Sequence, residues 1–241
     1  MLTADRLSTV KEYYFSEKLR EVARLKASGK PIINLGIGSP DLIPPPQVLE
    51  ALSKAIYEPG AHQYQPYKGV MELRQAISDF YNKKFNVCLN PETEILPLLG
   101  SKEGIMHISM AFLNPGDGVL LPNPGYPTYR AVTRLLNAKE RFYELNEETH
   151  WLPDLEKLAQ TDLSKVKLMW VNYPHMPSGA MASDSFFQSL TNFAEEHQIL
   201  VINDNPYCFI QTLKPKSILN KTTQSNYVLE LNSLSKSFNM A

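Results

Sequence analysis

Apolar and polar positions follow two different periods along this chain, and their alternation predicts an α/β fold. Continuous apolar runs at 166–172 and 199–203 are typical of strands buried on both faces. The same criteria predict further strands near 32–35, 94–98, 118–121, 139–145 and 227–232. Apolar positions three and four residues apart predict helices at 11–28, around 48–56 and 73–81, and at 102–113, 128–137 and 184–197. Strands that alternate with helices indicate a mostly parallel sheet between two helical layers.

The segment GIGSPDLIPPP, residues 36–46, interrupts this pattern near the N-terminus. Its prolines exclude a long helix there, because proline lacks the backbone donor and clashes with the preceding turn. We therefore expect two parts: an N-terminal arm over 1–47 and a main domain over 48–241.

The charge balance and the cysteine count exclude several classes of protein. The 24 Lys and Arg against 25 Asp and Glu give a net charge of −1, which argues against nucleic acid or an anionic membrane as partner. The two cysteines, Cys88 and Cys208, form no CxxC pair, and the five histidines show no HxxxH spacing, so no metal site is expected. No apolar signal core or membrane-length stretch occurs, and we expect a soluble cytoplasmic protein.

Candidate chemistry follows the predicted strands, and ligands of open α/β sheets bind at the carboxyl ends of strands. The residues at these five ends are Gly100, Ser101 and Lys102; Tyr126; Asn172; Asp204 and Tyr207; and Ser233, Ser235 and Lys236. Each has an ordinary alternative, since serine and aspartate often cap helices or turns and tyrosine often packs. Small residues at a helix start also leave backbone N–H groups free for an anion. Their shared edge predicts one site.

Eight motifs occur in a fixed order along the chain: NLGIGSPD, YQPYKG, GSKEG, FLNPGD, PGYPTY, NYPHMPSGA, DNPY and SLSKSFNM. With them the chain resembles the class I and II aminotransferases, pyridoxal phosphate enzymes of fold type I, over nearly its whole length. The likeness is to the aspartate, alanine and LL-diaminopimelate subgroups. It implies ping-pong transfer of an amino group from an amino acid to a 2-oxo acid, in a homodimer. Residues 48–241 would form the cofactor-binding large domain, and 1–47 the arm and part of a small domain.

The resemblance also implies roles for individual residues. Lys236 would bond covalently to the cofactor and then carry the substrate proton, and Asp204 would pair with the ring nitrogen. Tyr207 would donate to the ring oxygen O3′, and Tyr126 would stack on the ring. The phosphate would lie against Gly100, Ser101, Lys102, Ser233 and Ser235, with Asn172 beside the ring. Tyr64 would reach the phosphate bound by the neighbouring subunit, and Ile37 and Gly38 would lie near the substrate carboxylate.

Two departures from the family pattern bear on activity. Met176 stands where the family has the asparagine of NPTG, and a thioether cannot donate a hydrogen bond to O3′, so Tyr207 alone, His175 or Asn172 would serve. Family members continue beyond Lys236 with a GWRxG segment and a C-terminal small domain, whereas this sequence ends at Ala241. We therefore expect a fragment that binds the cofactor and transaminates poorly, because an arginine clamp on the substrate carboxylate is missing.

The substrate and the reaction type keep alternatives open. Lys102 would meet a distal substrate carboxylate or remain a solvated lysine, and Gln65 stands near a position that is acidic in the diaminopimelate subgroup. A carbon–sulfur β-lyase would share the cofactor but release pyruvate and ammonia without a 2-oxo acid. A non-catalytic cofactor-binding module is the second alternative.

Overall fold

A five-stranded parallel sheet forms the centre of the computed structural model, which describes residues 4–8, 12–36, 38–210, 212, 214–221 and 225–240. The strand order is β2-β1-β3-β4-β5. The strands are β1 Gly118–Asn123, β2 Lys139–Glu144, β3 Val166–Val171, β4 Leu200–Asn205 and β5 Val228–Asn232. Every neighbouring pair is parallel, so all carboxyl ends lie at one edge of the sheet. The predicted sheet is confirmed.

Helices cover both faces of this sheet. They are α1 Tyr14–Ala27, α2 Pro46–Ala55, α3 Met71–Phe85, α4 Ser101–Phe112, α5 Pro127–Leu135, α6 Leu155–Ala159 and α7 Asp184–His197. Short 3-10 segments occur at Asp5–Leu7 and Ile218–Lys221. α4 and α5 pack on one face with Leu200 and Ile202 of β4, and α7 packs on the other with Val201. The three-layer architecture is therefore as predicted.

Two of the predicted strands, 32–35 and 94–98, are not strands in the structure. Both segments are extended, but neither pairs with another strand among the described residues. Ile33 is 86% exposed and Leu96 is 62% exposed, so their apolar side chains lack the burial that the apolar pattern implied. Pro97 also removes a backbone donor that a ladder requires.

The N-terminal segment reaches the carboxyl edge of the sheet through the turn that follows β5. Lys236 Nζ donates to the carbonyl oxygen of Gly38 at 3.4 Å, and Asn239 Nδ2 donates to the carbonyl oxygen of Leu42 at 2.5 Å. These bonds join residues nearly 200 positions apart and place the NLGIGSPD motif beside the lysine. α2 begins at Pro46, and the boundary near residue 47 stays a prediction.

Candidate active site

Asp204 is the buried acid of the site. It lies within β4, one residue past the predicted strand, and alternation along β4 turns it toward α4 and α5. Its Oδ2 accepts a hydrogen bond from the Tyr129 hydroxyl at 2.7 Å, while its buried Oδ1 has no partner within the described part of the chain. Burial raises the pKa of Asp204 to about 6, against the lowering effect of the Tyr129 bond. A cation or N–H donor at Oδ1 would offset the free-energy cost of burying the charged carboxylate.

Tyr129 holds Asp204 in place, and the sequence analysis missed it. Its ring lies flat against Trp170 of β3, with 5.0 Å between ring centroids and 7° between planes. It is 1% exposed, and burial together with Asp204 holds its pKa well above the usual range. The sequence offers Tyr129 only as the second tyrosine of PGYPTY, three residues after Tyr126.

Asn172 joins the ends of β3 and β4. Its Nδ2 donates to the carbonyl oxygen of Asp204 at 2.6 Å, and its Oδ1 accepts from the backbone N–H of Met176 at 2.9 Å. Both ends of the amide are thus bonded to the backbone, so the structure gives Asn172 a positioning role. The cofactor contact that the resemblance implied stays a prediction.

Tyr126 and Tyr207 lie close to Asp204. Tyr126 precedes α5, and its ring packs edge-on against Tyr129 at 5.5 Å. Tyr207 is partly buried, and burial first, then Asp204 and Tyr126, raise its pKa. Its hydroxyl makes no hydrogen bond to any described residue, so it is free to donate to a ligand.

The predicted anion-binding residues meet at the N-terminus of α4. Ser101 Oγ donates to the carbonyl oxygen of Asn232 at 3.4 Å, which places this helix end beside Ser233 and Ser235. Ser233 Oγ accepts from the backbone N–H of Ser235 at 3.1 Å. A Cβ on Gly100 would meet no heavy atom within 4 Å, so open space adjoins the positive end of the helix. This cradle suits a phosphate.

Gly104 permits this close approach of α4 to β5. A Cβ there would lie 2.7 Å from Leu98 Cδ1 and 2.9 Å from Leu231 Cδ2, distances that a larger residue cannot hold without shifting its neighbours. Glycine at this position therefore helps to bring GSKEG beside the serines that follow β5.

Lys236 lies at the same edge, in the turn that follows β5, and it is only partly exposed. Its contact with the carbonyl oxygen of Gly38 brings the predicted substrate-binding segment to the predicted covalent lysine. Ile37, the other predicted substrate residue, lies outside the described residues.

Tyr13 is a second residue that the sequence analysis missed. Lys102 Nζ lies 6.0 Å from the centroid of its ring, and burial and the nearby Tyr126 raise the pKa of Tyr13. Nothing in the local sequence separates Tyr13 from Tyr14, which is 62% exposed. Tyr64, by contrast, is fully exposed, and its reach to a neighbouring subunit stays a prediction.

His175 and Met176 lie on the loop after β3. His175 Nδ1 lies 2.7 Å from Ser178 Oγ, and Nε2 lies 3.3 Å from the carbonyl oxygen of Pro124. Burial lowers the pKa of His175, which favours the neutral ring. Both nitrogens are engaged, so His175 fastens this loop to the loop that carries Tyr126. Of the three proposed O3′ donors, His175 has both ring nitrogens engaged and Asn172 uses its oxygen and one N–H, whereas the hydroxyl of Tyr207 bonds to no described residue.

Other features of the described residues do not extend the site. A cavity of about 180 Å³ lies where the start of α5 meets the end of β1, lined by Tyr126, Tyr129, Arg130, Phe142 and their neighbours, and its lining includes none of the predicted acid, lysine or serine residues. Within the described ranges, no cluster of His, Cys, Asp and Glu suits a metal ion. None of the helices there is long and apolar enough to cross a membrane.

Comparison with known proteins decides the family. The family model described as aminotransferase class I and II matches residues 30–241. The chain belongs to this family. An LL-diaminopimelate aminotransferase of Dehalococcoides mccartyi is 42% identical to this chain, over 100% of the chain and 62% of that protein. The chain thus spans about 62% of the length of the curated relatives it matches.

Solved structures share the architecture of this chain. Substrate-bound BacF from Bacillus subtilis has a TM-score of 0.90 at 39% identity, covering 100% of this chain and 61% of that one. Alanine aminotransferase from Pyrococcus furiosus has a TM-score of 0.86 at 29% identity, covering 98% and 60%. Aspartate aminotransferase of Thermus thermophilus, at 24% identity and a TM-score of 0.90, shares the fold.

Pyridoxal phosphate is the cofactor of this family, as the resemblance implied. The site fits it at three places. The free Oδ1 of Asp204 suits the ring nitrogen, the open N-terminus of α4 suits the phosphate, and the amine of Lys236 suits the aldehyde.

Proposed function

We propose that this chain is the greater part of an aminotransferase that moves an amino group from an amino acid to a 2-oxo acid. The observation that carries the proposal is the buried Oδ1 of Asp204, which has no partner in the described ranges and lies at the same sheet edge as Lys236 and the open N-terminus of α4. A carboxylate is costly to bury alone, and a protonated ring nitrogen is the partner that this chemistry supplies.

The residues of the chain would divide the work as follows. Bound pyridoxal phosphate supplies an electron sink for the bond that breaks at the substrate Cα. Asp204, held by Tyr129, keeps the ring nitrogen charged. The N-terminus of α4 with Ser233 and Ser235 fixes the phosphate, and Tyr207 donates to O3′. Lys236 Nζ holds the cofactor and then moves the proton at Cα, with the carbonyl of Gly38 at 3.4 Å orienting the amine.

The first amino donor to test is LL-diaminopimelate, because the relatives at 42% identity carry that name. Lys102 beside Tyr13 supports a substrate with a polar distal end, since the two side chains offer a cation and a hydroxyl near Tyr126. Gln65 donates to the carbonyl oxygens of Gly60 at 3.2 Å and Gln63 at 3.0 Å, so it serves its own loop. Homodimer formation and a cytoplasmic location stay predictions.

Dependence on a 2-oxo acid separates the aminotransferase from the β-lyase alternative. The cofactor-loaded chain is mixed with a panel of amino acids that includes LL-diaminopimelate and cystathionine, with and without 2-oxoglutarate. We expect new amino-acid product that requires both substrates. Pyruvate and ammonia released from cystathionine without 2-oxoglutarate would identify a lyase instead. Cofactor binding with neither product would favour the binding module.

Met176→Asn tests how O3′ is served. Asparagine adds a donor near the oxygen that Tyr207 would otherwise serve alone. A hydrogen bond donated to an ionised oxygen contributes about 1.5–3 kcal/mol, so the pH midpoint of the bound cofactor's visible band is expected to fall by about 1 pH unit or more. Met176→Leu serves as the control of similar size. An unchanged midpoint in Met176→Asn would refute this explanation of the methionine.

A further inference from the structure

A second carboxylate, that of Glu230, lies beneath the site on the opposite face of the sheet. Glu230 is in β5 and pairs in register with Asn203 of β4. Alternation places Asn203 and Asn205 on the face away from Asp204, and Glu230 joins them there. The residue as a whole keeps some exposure on this outer strand, but its carboxyl group is enclosed.

Five donors converge on the two oxygens of Glu230. Oε2 accepts from Asn203 Nδ2 at 3.0 Å, from Asn205 Nδ2 at 3.3 Å and from the backbone N–H of Ile218 at 3.2 Å. Oε1 accepts from the hydroxyls of Ser217 at 2.8 Å and Tyr81 at 3.1 Å. An ionised carboxylate is an acceptor only, with about four lone-pair sites, so this set of donors suits the charged form. Burial raises the pKa of Glu230, and four of these bonds oppose the rise.

The two asparagines transmit this bonding to the site. Asn203 and Asn205 flank Asp204 on both sides along β4. By bonding to both, Glu230 fixes the strand segment that orients the carboxylate of Asp204. Asn203 also accepts, through Oδ1, a hydrogen bond from the backbone N–H of Tyr173 at 3.0 Å. That N–H belongs to the loop with Asn172 and Met176, so one side chain ties the ends of β3 and β4 to Glu230.

We propose that Glu230 is a positioning residue, which sets the geometry of Asp204 and of the loop after β3 through Asn203 and Asn205. Asn203 and Asn205 are the two of its five donors that flank the site acid, and the other three join it to α3 and the 217–218 turn. The role toward the cofactor rests on the proposed function. The role toward the loop does not.

The variants separate positioning from general stability. Glu230→Met keeps the length of the side chain and removes both acceptors. Glu230→Gln can present its oxygen to the asparagines and its amide nitrogen to the hydroxyls of Ser217 and Tyr81, which rotate to accept. Tyr81→Phe is the matched control, because it removes one donor to Oε1 and leaves both asparagine bonds. Circular dichroism establishes that each variant folds.

The first readout is the dissociation constant of pyridoxal phosphate, from titration of the visible band. Glu230→Met is expected to raise this dissociation constant at least about tenfold, because the misplacement of one binding group lowers affinity by about tenfold or more. Glu230→Gln should stay within about threefold and Tyr81→Phe within about twofold of the wild type. The proposal would be overturned if Glu230→Met had the same dissociation constant as the wild type, or if Tyr81→Phe raised that constant about tenfold.

The second readout is amide hydrogen exchange of residues 172–178 without cofactor, compared with α7 in the same variant. Exchange of this loop should rise more than that of α7 in Glu230→Met but not in Tyr81→Phe. If Glu230→Met fails to fold, Glu230→Asp takes its place, because the shorter side chain withdraws from both asparagines. An equal rise of exchange in the loop and in α7 would refute the proposal. A wild type without a Lys236-dependent band would instead refute the proposed function and leave this comparison decisive.

Discussion

Asp204→Asn is expected to weaken the binding of pyridoxal phosphate about a hundredfold and to stabilise the cofactor-free chain at pH 7. The loss of affinity follows from removing one partner of a buried ion pair, which costs about 3 kcal/mol or more. The Oδ1 of Asp204 that would meet the ring nitrogen is enclosed and has no partner among the described residues, so water cannot take the place of the lost carboxylate charge.

The gain in stability follows from the pKa of the same carboxyl group. Burial raises the pKa of Asp204 from its ordinary value of 3.8 to about 6, so between these values the folded chain binds a proton that the unfolded chain has released. The wild type therefore loses stability as pH rises from about 4 to 6, and the loss reaches about 3 kcal/mol above pH 6. Asparagine carries no charge, so Asp204→Asn does not lose stability over this pH range.

Urea unfolding of both cofactor-free chains from pH 4 to pH 8 measures this effect. The difference in unfolding free energy should grow between pH 4 and 6 in favour of Asp204→Asn and then level off. Tyr129→Phe is the control, since it removes a bond to Asp204 and keeps the charge. An Asp204→Asn chain that binds cofactor as tightly as the wild type would contradict the assignment of this acid.

Lys236→Ala is expected to abolish covalent attachment of the cofactor while leaving the fold intact. The side chain is partly exposed, and among the described residues it bonds to the carbonyl oxygen of Gly38, so little packing is lost. Reduction with borohydride followed by intact mass should show one pyridoxyl adduct in the wild type and none in the variant. Lys102→Ala, at the neighbouring helix end, is the matched control and should retain the adduct. An adduct on Lys236→Ala would assign the attachment to another lysine.

The sequence predicted those parts of the molecule that depend on local patterns. The apolar runs of β3 and β4 identified strands buried on both faces, and parallel strands necessarily bring Asn172, Asp204 and Lys236 to one edge. The prediction of strands at 32–35 and 94–98 was wrong, because an apolar run predicts burial but does not supply a pairing partner. Leu96 and Ile33 are exposed instead.

The residues that the sequence did not reveal act across long separations. Tyr129 meets Asp204 over 75 positions, and Tyr81 meets Glu230 over 149. No local period or turn signal encodes such pairs, which exist only once the sheet has placed β3, β4 and β5 side by side. Tyr13 reaches the site in the same way, through the path of the N-terminal segment.

The most direct test of the central claim is a visible absorption titration of the chain with pyridoxal phosphate, in the wild type and in Lys236→Ala. A saturable band in the wild type that is absent from Lys236→Ala is the predicted result, and it would establish that the chain binds the cofactor through Lys236, at the sheet edge that also carries Asp204 and the N-terminus of α4. A wild-type spectrum that equals the sum of free cofactor and protein, or an identical band in Lys236→Ala, would contradict it.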